Sequence, residues 1–362
     1  MYRTEALTEA DRLMTVCNSC RYCEGLCAVF PAMELRRDFA EGDLNYLANL
    51  CHSCGACYYD CQFSPPHEFG VNMPVALAAV RAESYAAYAW PGALRGLFAR
   101  NGLAVAVVTA LAVAGFLFGI GGKPATGGFY GVMAHNAMAW LFGAVFVYAL
   151  VALGMGVRAL WRDSNKTIAV TANPAALWQA MKDAGSLRYL DGGGVGCYNE
   201  GDQPRDRRRH SHHATAYGFA LCFAATSVAT LYHYLLGREA PYPWYDLPVL
   251  LGIAGGIGLV IGPIGLLVAK FRRDKVVADP ARLGMDVGFT VMLLATAVTG
   301  LGLLVLRGTG AMPALLAVHL GVVFSLFLTM PYGKFVHGIY RFVALVRYAR
   351  ERQMLEAGEI EA

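Results

Sequence analysis

From residue 102 onward the chain alternates long apolar runs with short polar connections, whereas ahead of it apolar positions are scattered at helical spacing among charges. Six uncharged stretches, Gly102–Ile120, Val132–Val157, Ala214–Leu236, Leu247–Ala269, Val287–Leu306 and Ala311–Gly333, each reach 19 residues or more. At 1.5 Å per residue that length crosses a hydrocarbon layer of about 30 Å. One such helix can lie in a soluble core; six make a membrane domain. Before them, Met33–Leu50 reads as a helix packing through Leu44, Leu47 and Leu50, and Trp90–Arg100 as a segment lying at the membrane interface. The expected fold is α-helical, with a soluble domain over residues 1–90 and a membrane domain over 91–362 that contains a long loop at about 158–213.

Composition agrees with this division. Apolar residues make up 56% of the 362 positions and charged ones 15%, against about 45–50% and 25% in soluble domains. Residues 1–100 hold 8 Lys/Arg and 11 Asp/Glu, while the remainder holds 22 and 15. Among the connections, Arg158–His213 carries nine basic residues, Lys270–Gly284 five and the tail after Gly333 five, against Lys123, Arg238 and Arg307 alone in the alternate loops. The positive-inside rule then places the N-terminal domain, the long loop and the C-terminus in the cytoplasm, and the chain in the inner membrane as a multi-pass protein. The first residues lack the basic and apolar pattern of a secretory signal. Reduced thiols are therefore expected, which favours metal binding over disulfides.

Eight of the ten cysteines fall into two segments of identical spacing, Cys17-x2-Cys20-x2-Cys23-x3-Cys27 and Cys51-x2-Cys54-x2-Cys57-x3-Cys61, 34 residues apart. Three thiolates two residues apart wrap three corners of a cubane, and in two-cluster ferredoxins the fourth serves the other cluster. Cys17, Cys20, Cys23 and Cys61 are thus expected on one [4Fe–4S] cluster, and Cys51, Cys54, Cys57 and Cys27 on a second. Structural zinc needs only four ligands in two pairs, so it does not account for this spacing twice over. Ala28 and Gln62 follow the fourth cysteines where bacterial ferredoxins place proline. With all eight thiolate positions filled, His52 and His67 read as polar surface or supporting groups.

Histidine within an apolar span marks a functional site. His319 and His337 are 18 residues apart, five whole turns of one continuous helix, which would set both on a single face. In the third span His213 stands at the cytoplasmic end and His233 at the outer end, so His233 with His319, and His213 with His337, match in depth. Two bis-histidine pairs of this kind suit one or two b-type haems in a cytochrome b-like bundle. His212 is a better match than His213 in helical phase to His233, and both remain open; His135 is an alternative to His233 at the outer end. The glycines of the fourth span read as helix packing. Asp191–Glu200, with Cys197, reads as a flexible loop with a free thiol or as a contact to a partner or cluster. Gly154–Ala159 fits G-x-G-x-x-A but follows no strand, so no nucleotide site is expected, and no nucleic-acid partner either.

The duplicated cysteine motifs, Tyr88-Ala-Trp90-Pro91, the Cys197 loop, His212-His213-Ala-Thr-Ala-Tyr217-Gly218-Phe219 and Pro331-Tyr-Gly-Lys334-Phe-Val-His337-Gly338 together resemble the tricarballylate utilization protein B family, related to the C-terminal part of CobZ. The resemblance implies an electron-transfer subunit of a flavoprotein:quinone oxidoreductase system, reoxidising an FAD-dependent, tricarballylate dehydrogenase-like partner with quinone as acceptor. A CobZ-like role in corrin precursor oxidation and a membrane-tethered iron–sulfur redox sensor are the alternatives.

Overall fold

The structure is a computed structural model, and it describes residues 2–121, 123, 128–279 and 283–361. Arg282, one of the basic residues counted above, lies outside the described residues. Helix α1 (Glu5–Cys20) starts at Thr4, whose hydroxyl accepts the Leu7 amide, and stops at Arg21 in the left-handed region. It is followed by α2 (Val29–Glu34), α3 (Glu41–Leu50), the short α4 (Ala56–Tyr59) and α5 (Met73–Ala87), which is capped by Asn72. The single helix expected over Met33–Leu50 is thus split at Leu35–Ala40. Arg36 in that break turns inward to meet Asp43 at 2.7 Å and Glu351 at 2.6 Å, which a continuous helix would not allow. Leu44, Leu47 and Leu50 are fully buried, as their spacing implied.

Among the described residues six helices are long and apolar enough to cross a membrane: α6 (Asn101–Ile120), α8 (His135–Ser164), α10 (Arg207–Leu236), α11 (Leu247–Phe271), α12 (Leu283–Leu306) and α13 (Met312–Thr329), the last extended by a 3-10 turn to Tyr332. They fall on the six apolar stretches, and a short α7 (Gly128–Val132) precedes α8. The protein is a membrane protein. Helices α10 and α11 pack backbone to backbone: a Cβ on Gly255 would stand 2.7 Å from the Cys222 amide nitrogen, and one on Gly218 2.8 Å from that of Leu259. The fourth-span glycines therefore serve close backbone packing.

Two parts of the sequence beyond residue 91 join the soluble body. In the loop after α8, α9 (Pro174–Ser186) leads to a two-stranded ribbon, β1 (Cys197–Tyr198) antiparallel to β2 (Pro204–Arg205). After the sixth span, Pro331 and the extended Gly333 end the helix, and a new one, α14 (Val336–Glu356), runs into the soluble core. Ala344, Leu345 and Tyr348 of α14 share one apolar cluster with Leu13, Leu44 and Leu77. Its Glu351 is completely buried among Arg36, Arg347 and the Tyr46 hydroxyl, at 2.6, 2.9 and 3.0 Å. Such an ion network is costly to break once formed, because each remaining charge is left buried.

Candidate functional site

The two cysteine repeats fold differently. Cys17 and Cys20 occupy the last turn of α1, whereas Cys51 and Cys54 lie in the extended loop after α3, and Cys57 on α4. Cys17, Cys20, Cys23 and Cys61 line one cavity near the surface beside the exposed Tyr22. Cys27, Cys51, Cys54 and Cys57 line a second, deeper one, and Cys57 touches both. Burial pushes the Cys17 thiol up to about 12, reinforced by Cys23, Cys61 and Cys20, and burial also lifts Cys54 to about 12. Cys27 and Cys57 are also raised well above the ordinary thiol value, by burial first and by neighbouring thiols second. Thiolates so placed need a cationic centre between them. Among the described residues no three His, Cys, Asp or Glu side chains converge on a single ion. A cubane spreads its four thiolates over separate irons, and each cavity is lined by at least four cysteines, so the donor set fits cubanes. The Ser53 and Phe63 amides each stand 3.3 Å from the sulfurs of Cys51 and Cys61 and donate to them.

The ribbon β1–β2 closes the second cysteine loop. The Tyr198 amide donates to the Cys54 carbonyl at 2.7 Å, and the Cys197 thiol to the same oxygen at 3.3 Å. Cys197 is completely buried, so the segment read as a flexible loop is a packed lid. Its glycines permit this: Gly193, at φ 80°, brings a Cβ position to 3.2 Å from the Gly25 carbonyl oxygen.

Between the soluble body and the spans lies a cavity of about 380 Å³. Phe219, Leu266, Phe289 and Leu293 form its apolar side. Its other side is cationic: Arg81, Arg208, Lys270, Arg273, Lys334 and Arg341, facing Asp279 and Asp286. Arg81 and Arg341 each donate to the Cys51 carbonyl at 2.7 Å, and Arg208 to that of Ser53 at 2.6 Å. Lys270 and Lys334 pair with Asp286. No single motif marks this set, because its members come from four distant segments; the sequence signals were Lys334 in the Pro331–Gly338 motif and the basic connections that hold Arg208, Lys270, Arg273 and Arg341.

His212 and His337 enter this cavity with ring centroids 6.0 Å apart. That separation is about two metal–nitrogen bonds of ~2.0–2.1 Å each plus the two ring radii. The Nδ1 of His337 is engaged by the Lys334 carbonyl, the partner that fixes a ligating imidazole and leaves Nε2 free. Burial, then Lys334 and Arg341, hold His337 well below its ordinary value, so its ring is neutral. These residues fit a bis-histidine haem. His213 points elsewhere, against Tyr217, which separates the two neighbouring histidines that spacing left open. His52, read as polar surface or a supporting group, is only 6% exposed and stands in the walls of both the second cysteine cavity and the large one. Its Nδ1 meets the Leu50 carbonyl at 2.9 Å. His67 lies near the surface between Phe63 and Phe69.

At the other end of the bundle the pairing differs from expectation. His233 stacks on His135 at 3.6 Å, interplanar angle 19°, instead of facing His319. His319 packs against Gly300, its Nδ1 2.9 Å from the Thr299 hydroxyl. The single-face argument for His319 and His337 fails, because the helix breaks between them at Met330–Gly333.

Two family models match the chain along the same division. The soluble domain, over residues 10–87, matches the citrate utilization protein B Fer4-like domain, and residues 91–358 match citrate utilization protein B. The chain belongs to the citrate utilization protein B family. It is 49% identical to citrate utilization protein B of Escherichia coli over 358 residues, 97% of this chain and 94% of that one. No solved structure matches. The family's Fer4-like domain coincides with the duplicated cysteine motifs, which makes iron–sulfur chemistry the family's own feature as well as the reading of the thiols.

Proposed function

We propose that the protein carries electrons from a soluble FAD-dependent dehydrogenase, tricarballylate dehydrogenase-like, to quinone in the cytoplasmic membrane, with both termini on the cytoplasmic side. The observation that carries this is the serial order of sites: a cysteine cavity near the surface, a second one sharing Cys57 with it, and then the cavity holding His212 and His337. When bound, two [4Fe–4S] clusters and haem b supply one-electron redox chemistry, which splits the two-electron output of a flavin. The chain's own contribution is placement. Cys17, Cys20, Cys23 and Cys61 hold the outer cluster, and Cys27, Cys51, Cys54 and Cys57 the inner. The Cys197 lid keeps water from the Cys54 side. His212 and His337, kept neutral and apart, offer two imidazole nitrogens to iron. Of the outer histidines, His233 and His135 with His319 remain the candidates for a second haem; the 3.6 Å stack leaves no room for iron between the first two rings.

The test is a dithionite-reduced minus oxidised spectrum of the purified protein with iron, sulfide and haem analysis. About eight irons and eight labile sulfides per chain are expected, with a b-type haem signal, and Cys20→Ser loses one cluster without leaving the membrane. Two zinc ions and no labile sulfide overturn the reading. For orientation, a reporter fused after Leu306 is active only outside the cytoplasm, and one fused after Ala362 only inside it.

A further inference from the structure

Each of the two cavity histidines has an arginine one helical turn away, on the side of the soluble body. On α10 the pair is Arg208 and His212; on α14 it is His337 and Arg341. Residues four apart share a helix face and are displaced by about 6 Å along the axis. Two facing helices thus present two imidazoles in one layer and two guanidinium groups in the next. Among the described residues neither guanidinium meets a carboxylate. Arg341 donates to the Cys51 carbonyl at 2.7 Å, and its Nε is buried with no partner; Arg208 bonds the Ser53 carbonyl at 2.6 Å and the Cys197 sulfur at 3.3 Å. Among the described residues the cavity turns six cations toward two carboxylates. Buried charge in such excess calls for an anion, and a cubane on four thiolates supplies only part of it.

We propose that Arg208 and Arg341 form a carboxylate clamp that takes the two propionates of a haem bound through His212 and His337. The inference rests on the haem reading above. The planar fork of arginine suits carboxylates, and the apolar side at Phe219 and Phe289 suits a macrocycle rather than a small free acid. The clamp also orients the group: its carboxylate edge faces the Cys51–Ser53 loop, so the same two side chains touch the inner cysteine loop and the haem edge. Both are positioning residues.

The experiment uses the full-length protein purified as Arg208→Gln, Arg341→Gln, the double variant and the two Lys variants, measuring haem per chain, labile sulfide and the haem midpoint potential. Each Gln variant is expected to lower the reduced-to-oxidised ratio at a fixed potential about tenfold, which is about 59 mV for one electron. The Lys variants keep most of the wild-type ratio, labile sulfide stays unchanged, and the double variant loses haem. Wild-type protein supplied with haem dimethyl ester, which lacks free carboxylates, retains it at least about tenfold less well, a readout that needs no variant. Unmoved haem content and potential in the Gln variants overturn the clamp, as does loss of about half the labile sulfide with the haem unmoved, which would assign both arginines to the cysteine loop alone. A saturable, citrate-induced rise in the wild-type melting midpoint that the Gln variants lose would give the pair to a free polycarboxylate and also overturns it. Absence of haem from the wild type removes the functional reading itself, and is read before any variant is made.

Discussion

The two ends of the helical bundle treat their histidines in opposite ways. At the end covered by the soluble body, His212 and His337 stand 6.0 Å apart in a cavity of about 380 Å³; at the other, His135 and His233 close into a stack at 3.6 Å. The inner pair sits on helices anchored by the soluble body. Helix α14 is tied to α3 and to the break before it through the buried Glu351 network, and α10 to the Cys51–Cys54 loop through Arg208. Among the described residues, the outer pair meets its own helices and Tyr130 of the short α7, whose ring lies 5.1 Å from His135 and 5.8 Å from His233. The comparison teaches that imidazole separation here is set by what braces the helices, and less by depth in the membrane.

The comparison breaks most completely with the ligands themselves. His337→Ala is expected to remove the inner haem, with its low-spin signal, while about eight irons and labile sulfides remain. His233→Ala leaves that haem in place. Equal haem content in His337→Ala and wild type would show that the inner pair is structural, and would leave the two ends alike.

Next in size is the brace. Glu351→Gln leaves Arg36 and Arg347 buried beside an uncharged amide, both within 3 Å of the carboxylate they lose, and is expected to cost about 3–5 kcal/mol of stability. Because α14 carries both Glu351 and His337, inner haem occupancy falls with it, and the outer histidines are unaffected. Chemical denaturation followed by the cluster absorbance and by haem content reads both. A loss of stability with full inner haem would separate the brace from the spacing.

How much of this was legible in the sequence differs by element. The six spans were legible because a bilayer imposes a length that uncharged runs reveal directly, and the two cysteine repeats because their spacing is local; which thiols line one cavity depends on the folded chain. The histidine pairing was legible only in part: depth matched His212 or His213 to His337 at the inner end, while the outer match of His233 to His319 and the common face did not follow. Its phase argument assumed one helix through Met330–Gly333, where Pro331 and Gly333 end it. Choosing between His212 and His213 needed the face of α10 that turns to α14, which no spacing within α10 contains. The cationic wall was invisible because Arg81, Arg208, Arg273 and Arg341 meet only in the folded chain. His52 was underread for the same reason: its place between two cavities depends on α5 and α14, not on Cys51 beside it.

A smaller effect is expected at the α10–α11 contact. A Cβ on Gly262 would lie 2.5 Å from the Thr215 amide nitrogen and 2.8 Å from the Ser211 carbonyl oxygen, on the turn of α10 that carries His212. Gly262→Ala is therefore expected to cost about 1–3 kcal/mol and to weaken inner haem binding. Gly252→Ala, whose Cβ meets only that of Ala225 at 3.9 Å, changes neither. Equal behaviour of the two would mean that the bundle yields at both ends alike.

The smallest effect is a single hydrogen bond that fastens the connection after α11 to the inner cysteine segment. The Tyr59 hydroxyl donates to Asp274 at 2.6 Å, and the Tyr59 ring stacks on Tyr198 of the lid at 5.3 Å. That hydroxyl, followed by the Val276 amide, holds the Asp274 carboxyl below its ordinary range. A carboxyl with a depressed folded value contributes stability that is fully present above the unfolded value of about 3.9 and is lost only as pH falls through the lower, folded one. Tyr59→Phe removes this contribution in a half-exposed place, where such a bond is worth about 1 kcal/mol. The difference in melting midpoint between wild type and Tyr59→Phe should therefore be small and flat from about pH 8 to pH 5, since Asp274 is ionised throughout that window. A difference that shrinks between about pH 7 and pH 5 would show that the carboxylate is not held low, and that the connection rests on the lid by ring stacking alone.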